Sequence, residues 1–462
     1  MRDEDLRALV RKWHADPTNL ALLTPIVAGR RRAGIAPAEP LAEPPTVLAS
    51  SFSSTVPLTV HVGDDTLAEG IRHVGDTRFG PVTVPACRRW GVEPFANDFA
   101  RGVEVVRERK LPGIRIPAAV PKAEWPALRR LEGLESLRWV EVRCDYQRAY
   151  RDDDLAFLGT LPALEELGIH HASGLTSATI AGLVPCQRLA RLRLDHFQSK
   201  AFVGGALGRL TALRRLEVWL SDLTREGLEA VGELEGLVEL ATNASLSDED
   251  YAPLARLTSL ASLRIELSKY RSTEAALVHL WPLGQLTSLE VKHERNLGDL
   301  GLASIGALGN LRRLSLAAPK IAGLAAIAPL ERLESLRIES RDGRVKPSCF
   351  EPLARLSLHE LDLGRSRFPP AALAPVGKIA SLRRLILRDC QLSDAALAHL
   401  SGLRELEKLD LGINDVTNVG LEHLDRNERL RLLEIDLCEV TRAGIERFGE
   451  VHPGCEVRAG SR

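Results

Sequence analysis

Residues 406–424 read "LEKLDLGINDVTNVGLEHL", and the stretch carries two periods. Leu409 and Leu411 alternate as in a strand, whereas Leu421 and Leu424 stand three apart as on a helix face. Asn414 sits where the period changes. A strand, a turn and a short helix are therefore expected within nineteen residues. Such a unit cannot bury its apolar face alone, so it needs copies of itself on either side.

The copies are present. "LEELGI" (164–169), "LARLRL" (189–194), "LRRLEV" (213–218), "LVELAT" (237–242), "LASLRI" (260–265) and "LTSLEV" (286–291) share its frame. So do "LRRLSL" (311–316), "LESLRI" (333–338), "LHELDL" (358–363), "LRRLIL" (382–387), "LEKLDL" (406–411) and "LRLLEI" (430–435), with anchor leucines 22 to 26 residues apart. "LESLRW" (134–139) reads as one more repeat upstream. Between the strands a second phrase recurs, as in "LTREGLEAVGEL", "LSDAALAHLSGL" and "VTNVGLEHLDRN". A Thr or Ser suited to a helix N-cap precedes apolar residues at helical spacing, for example Leu228, Val231 and Leu234.

This pattern resembles the leucine-rich repeat proteins, and the likeness covers residues 130–458. The phrases are most similar to the cysteine-containing and ribonuclease-inhibitor-like classes. The resemblance implies an α/β solenoid: a horseshoe with a concave parallel sheet and fully α-helical convex segments. Four regions are expected: a helical hairpin over 1–36, a proline-rich linker over 37–51, a mixed region over 52–126, and about 12–13 repeats with a terminal cap over 127–462. "LTVHV" and "GPVTVPA" read as strands in the mixed region, and "CEVR" as the last strand of the cap. The opening hairpin loosely resembles a small module that accompanies such repeats in bacterial proteins, and the heavy use of arginine, alanine and leucine suggests a high-GC bacterium.

Composition narrows the function. Sixty-two acidic residues nearly cancel 61 basic ones, so neither nucleic acid nor a membrane surface is an expected partner. No apolar run is long enough to span a bilayer, and the charged N-terminus lacks a signal peptide's apolar stretch. Seven cysteines without CxxC spacing suit reduced thiols and a cytoplasmic location. Motifs for phosphate loops, zinc and serine or metallo-hydrolases are missing, so no cofactor, metal or small-molecule substrate is expected. Cys390 and Cys438 lie two repeats apart, about 10 Å at the spacing of strands, too far for a disulfide.

Alternate strand residues project onto the concave face. One row runs His170, Asp195, Trp219, Asn243, Glu266 and Lys292; a second places Arg193 beside Glu217, Arg264 beside Glu290 and Arg337 beside Asp362. With His196, the first row forms the expected partner-binding patch, and Trp219, read as exposed, is its anchor. His170, Asp195 and His196 also admit a metal reading. The function expected from the fold is non-enzymatic protein–protein recognition. One alternative is an adaptor whose first 126 residues hold a second partner. Another is an enzyme using Cys87 with His61 or His73 in 52–126. Asn414 itself falls at a turn position filled elsewhere by Ser221, Ser245, Ser268, Ser366, Cys390 and Cys438, and reads as a structural rung facing buried backbone.

Overall fold

A computed structural model of the chain describes residues 49–460 apart from 64–70, 88, 145–149, 172–173, 196–203, 220–222, 322 and 342–346. The hairpin expected over 1–36 and nearly all of the linker lie outside the described residues. Two compact units fall within Ala38–Leu246 and Ser247–Arg462.

The first unit opens with β1 (Ser50–Phe52), β2 (Leu58–Gly63), β3 (Ile71–Asp76), β4 (Val82–Val84) and β5 (Arg89–Pro94). β1 pairs with β4, and β2 pairs antiparallel with both β3 and β5. From β5 onward the pairing is parallel. It runs through β6 (Gly113–Ile116), β7 (Trp139–Arg143), β8 (Glu166–His170), β9 (Arg191–Asp195), β10 (Arg215–Trp219) and β11 (Glu239–Thr242). The antiparallel strands thus cover the edge that a parallel ladder would otherwise leave open.

The second unit is a parallel ladder throughout. Its strands are β12 (Ser262–Leu267), β13 (Ser288–His293), β14 (Arg313–Ala317), β15 (Ser335–Glu339), β16 (Glu360–Asp362), β17 (Arg384–Ile386), β18 (Lys408–Asp410), β19 (Leu432–Glu434) and β20 (Glu456–Arg458). Leucines of the repeated phrase face each other across strands, as Leu192 faces Leu216 and Leu409 faces Leu433. Leu406, Leu409, Leu411, Leu421 and Leu424 are all buried. Each such side chain contributes about 1.5–3 kcal/mol on burial. Each unit is a leucine-rich repeat solenoid.

Two expectations need correcting. The upstream repeat is out of frame by three residues: Val140 of β7 faces Leu167, which puts Leu137, not Leu134, in the anchor position. The same frame continues back to Leu111, because Ile114 faces Val140. The parallel ladder therefore reaches back beyond residue 127. The convex segments are also not uniformly α-helical. Ser177–Gly182, Arg225–Val231 and Asp299–Gly306 are short α-helices, but Lys122–Leu131, Asp248–Arg256, Glu274–Leu280 and Pro347–Arg355 are 3₁₀. Pro126, Pro253 and Pro352 sit inside three of these, and a proline interior removes the N–H that an α-turn requires.

Polar side chains join repeat to repeat along two lines. On the first, Asn414 Nδ2 donates to the carbonyls of Leu387 and Leu411, both at 2.8 Å, and Oδ1 accepts from the backbone N–H groups of Cys390 and Leu392, both at 3.0 Å. Ser366 accepts from Ser340 N and donates to the Ile338 carbonyl, each at 2.9 Å. The Cys390 and Cys438 thiols donate to the Leu363 and Leu411 carbonyls at 3.1 Å. Both cysteines are unbridged, and burial pushes the Cys390 thiol up to about 12. The rung predicted at Asn414 is present; Ser268 caps its own turn, accepting from Tyr270 N, and Ser221 lies outside the described residues.

On the second line, an acidic or amide side chain from one convex segment holds the N-cap threonine of the next. Asp152 accepts from Thr176, Asp248 from Thr273 and Asp394 from Thr417, each from backbone N–H and hydroxyl together at 2.6–2.9 Å. Asn418 does the same for Thr441, accepting from its N–H and donating to its hydroxyl. Each threonine in turn caps its own segment, as Thr417 accepts from Val419 N.

Candidate functional site

The strand face of the first unit carries a continuous run of ionisable side chains. His61 projects from β2, Glu93 from β5, Arg115 from β6, Glu141 from β7, His170 from β8, Arg193 and Asp195 from β9, and Glu217 from β10. The period of two along each strand and the parallel register place them side by side.

At the buried end, His61 Nε2 lies 2.9 Å from Glu93 Oε2 and its Nδ1 lies 3.4 Å from Arg115 Nη1. The Arg115 guanidinium donates to Glu141 Oε2 through Nε at 3.0 Å, and its Nη2 lies 2.9 Å from the same oxygen. Glu141 Oε1 receives Arg143 Nε at 3.2 Å and stands 3.6 Å from His170 Nε2. His170 Nδ1 is 3.2 Å from Asp195 Oδ2, which Arg193 approaches at 3.6 Å while also reaching Glu217 at 3.6 Å. His61, Arg115 and Glu141 are buried. Burial pushes the Glu93 carboxyl up, but the His61 hydrogen bond and the His61 and Arg115 charges outweigh it and hold the group below its ordinary value.

Buried ion pairs contribute little net stability, yet removing one member leaves an uncompensated charge and costs about 3–5 kcal/mol. The run therefore acts chiefly as a positioning frame. Its members fix one another's rotamers and hold the exposed Arg143 and the half-buried Arg193 in place.

Of the residues expected in the patch, His170 and Asp195 are in contact. Trp219 faces Asp195 across β9 and β10, and it is half-buried rather than exposed. Asn243 follows β11 directly, with its Oδ1 shielded from solvent and without a hydrogen-bond partner among the described residues. His196 lies outside the described residues. Glu266 and Lys292 belong to the second unit and pair with each other at 2.7 Å. The three cross-strand charge pairs all form: Arg193–Glu217, Arg264–Glu290 at 3.2 Å and Arg337–Asp362 at 3.4 Å.

Arg115, Glu141 and Glu93 were missed. "LPGIRI" (111–116) and "LRWVEV" (137–142) keep the anchor spacing, but Ile and Val replace the second leucine, and that substitution hid the frame. As for the enzyme reading, His61 and His73 touch edge to face at 5.9 Å between ring centroids, and both His61 nitrogens face Arg115 and Glu93. Among the described residues no group of three or more His, Cys, Asp or Glu side chains could hold a metal ion. No described helix is long and apolar enough to cross a membrane.

The buried leucine frame and parallel registers define a leucine-rich repeat solenoid, and the solved structures similar to it include one described in those terms. An internalin of Listeria monocytogenes is 20% identical, over 78% of this chain and 94% of that one, with a TM-score of 0.49. A leucine-rich repeat protein of Leptospira interrogans is 17% identical, over 76% and 91%, with a TM-score of 0.46. A structure described as a TLR13–ssRNA13 complex is 16% identical over 78% of this chain and 59% of that one, with a TM-score of 0.49. No protein-family model and no curated protein matches the chain.

Proposed function

We propose that the chain is a protein-recognition module that binds its partner, without chemical change, on the strand face of the first unit. The observation that carries this reading is the run from His61 to Glu217, in which side chains of seven strands are held in place before any partner arrives. Binding to such a face immobilises few additional rotamers, which lowers the ordering cost of association. His170, Asp195, Trp219 and Asn243 lie at its open end. Trp219 supplies the apolar area there, beside polar groups, as aromatic anchors of interfaces do.

The test uses the full-length chain immobilised and exposed to a lysate of its source cells, with retained proteins identified by mass spectrometry. Trp219→Ala is expected to deplete the specific partner about tenfold or more, as loss of an anchor does. Its circular dichroism should match the parent, with the thermal midpoint lowered only by the packing that the half-buried indole loses. Equal retention by parent and variant would move the contact off this face.

A further inference from the structure

On the sheet face of the second unit, Arg264, Lys292, Arg337 and Arg388 each pair with a carboxylate. The edge where strands β12 to β14 end is different. Lys269, Arg271, Arg295 and Lys320 are exposed there, and among the described residues none forms an ion pair or a side-chain hydrogen bond. Tyr270 stands between two of them with 82% of its surface exposed, and Lys269 Nζ lies 5.6 Å from the centre of its ring.

This edge is built, not frayed. Ser268 accepts from Tyr270 N at 3.3 Å, and the buried Ser272 returns to the Ser268 carbonyl through both N–H at 3.3 Å and hydroxyl at 3.2 Å. Those bonds fix the turn that presents Tyr270. The next two turns are tied together by Leu297 N donating to the Lys320 carbonyl at 2.8 Å. Register places the turns side by side, since Leu267 faces His293 across β12 and β13. Four cations without an ion pair among the described residues and an aromatic ring thus share one border, with Glu294 as a carboxylate among them.

We propose that Lys269, Tyr270, Arg271, Arg295 and Lys320 form a docking surface for an acidic segment of a protein partner. Charge complementarity names the occupant: among the described residues the four cations pair with no carboxylate, and a peptide carrying Asp or Glu supplies several. Tyr270 would then pack on the segment's aliphatic stems beside the Lys269 ammonium. A nucleic-acid strand fits less well. One ring makes no stacking platform, four cations give few phosphate contacts, and Glu294 repels a phosphate backbone. This surface is separate from the face proposed above and stands whether or not that one binds.

The experiment measures binding of three fluorescein-labelled probes to the full-length protein by anisotropy: a Glu/Asp/Gly dodecapeptide, a Ser/Gly dodecapeptide and an oligothymidylate of equal length. The acidic peptide is expected to bind best, weakening about tenfold between ~50 and ~300 mM salt as exposed charges are screened. Reversing all four cations to glutamate should weaken it at least about tenfold, and Tyr270→Ala about threefold. Reversing four exposed arginines outside these turns, Arg225, Arg404, Arg429 and Arg442, changes net charge equally and should leave binding within about twofold. Circular dichroism checks that each variant folds, and Tyr270→Ala keeps the test alive should the quadruple variant fail. Failure of the acidic peptide to bind, oligothymidylate binding as tightly, or equal losses in the two quadruple variants would each overturn the proposal.

Discussion

Gly412 leaves open the space that the Arg388 guanidinium occupies. A Cβ at residue 412 would collide with Arg388 Nη1, and through that gap Arg388 reaches Asp410 at 3.6 Å and Asp436, two strands away, at 3.4 Å. The strand face is shaped here by a missing side chain as much as by charges.

Gly412→Ala should therefore displace Arg388 and break both pairs. The pairs are partly exposed, so the expected loss is under about 1 kcal/mol. It should vanish in an Arg388→Ala background, where nothing is displaced. A double-mutant cycle by urea denaturation measures that coupling, and full additivity of the two substitutions would refute the steric account.

Asn414→Ala deprives two buried N–H groups and the Leu387 carbonyl of their partner and leaves the Leu411 carbonyl with the Cys438 thiol alone. The expected cost is on the order of 3 kcal/mol. Cys390→Ser preserves a donor at the neighbouring rung, where Ser366 already works, and should change stability by less than about 1 kcal/mol. Chemical denaturation of both variants compares them directly.

Ile413 is a β-branched residue at φ 58°, half out in solvent at 42% exposure. That left-handed conformation strains L-residues by about 1–2 kcal/mol, and Asn tolerates it better. Ile413→Asn is thus expected to raise the thermal midpoint, which calorimetry would show. Arg365, Asp389 and Leu437 hold the same conformation in adjacent repeats, which identifies it as a feature of the turn.

His293 is buried, and burial holds its imidazole below the ordinary 6.5 against the opposing Ser272 and Asn296 backbone contacts. A histidine harder to protonate folded than unfolded takes up a proton on unfolding. Its neutral form thus sustains stability above pH 6.5, and stability falls as pH drops below that value. His452, also held low by burial, adds to the same slope. Denaturation midpoints at pH 7.5 and pH 5.5 should differ for the parent, and the difference should shrink in His293→Gln.

The repeats were legible because Leu409 and Leu411 state a strand period that Leu421 and Leu424 replace with a helical one. Frame alone then paired Arg337 with Asp362 and His170 with Asp195, since a parallel register carries equivalent positions into contact. The frame failed at Leu137, where Trp139 and Val140 disguise the phrase and Leu134 offers a false start. With it went Arg115 and Glu141, the buried middle of the charged run. His61 was beyond any repeat logic, because it arrives from an antiparallel strand. Prolines 126, 253 and 352 were visible throughout and already argued against uniform α-helices.

The threonine caps give the molecule a grain. In every joint described, the carboxylate or amide comes from the earlier repeat and the threonine from the later one, as Asp394 serves Thr417 and Asn418 serves Thr441. A cut between two such repeats leaves unlike wounds: an idle acceptor that water satisfies on one side, and a helix start stripped of its support on the other. Lengthening or shortening this array is accordingly a one-way operation, tolerated when units are added behind a finished joint and resisted when they are taken from in front of one.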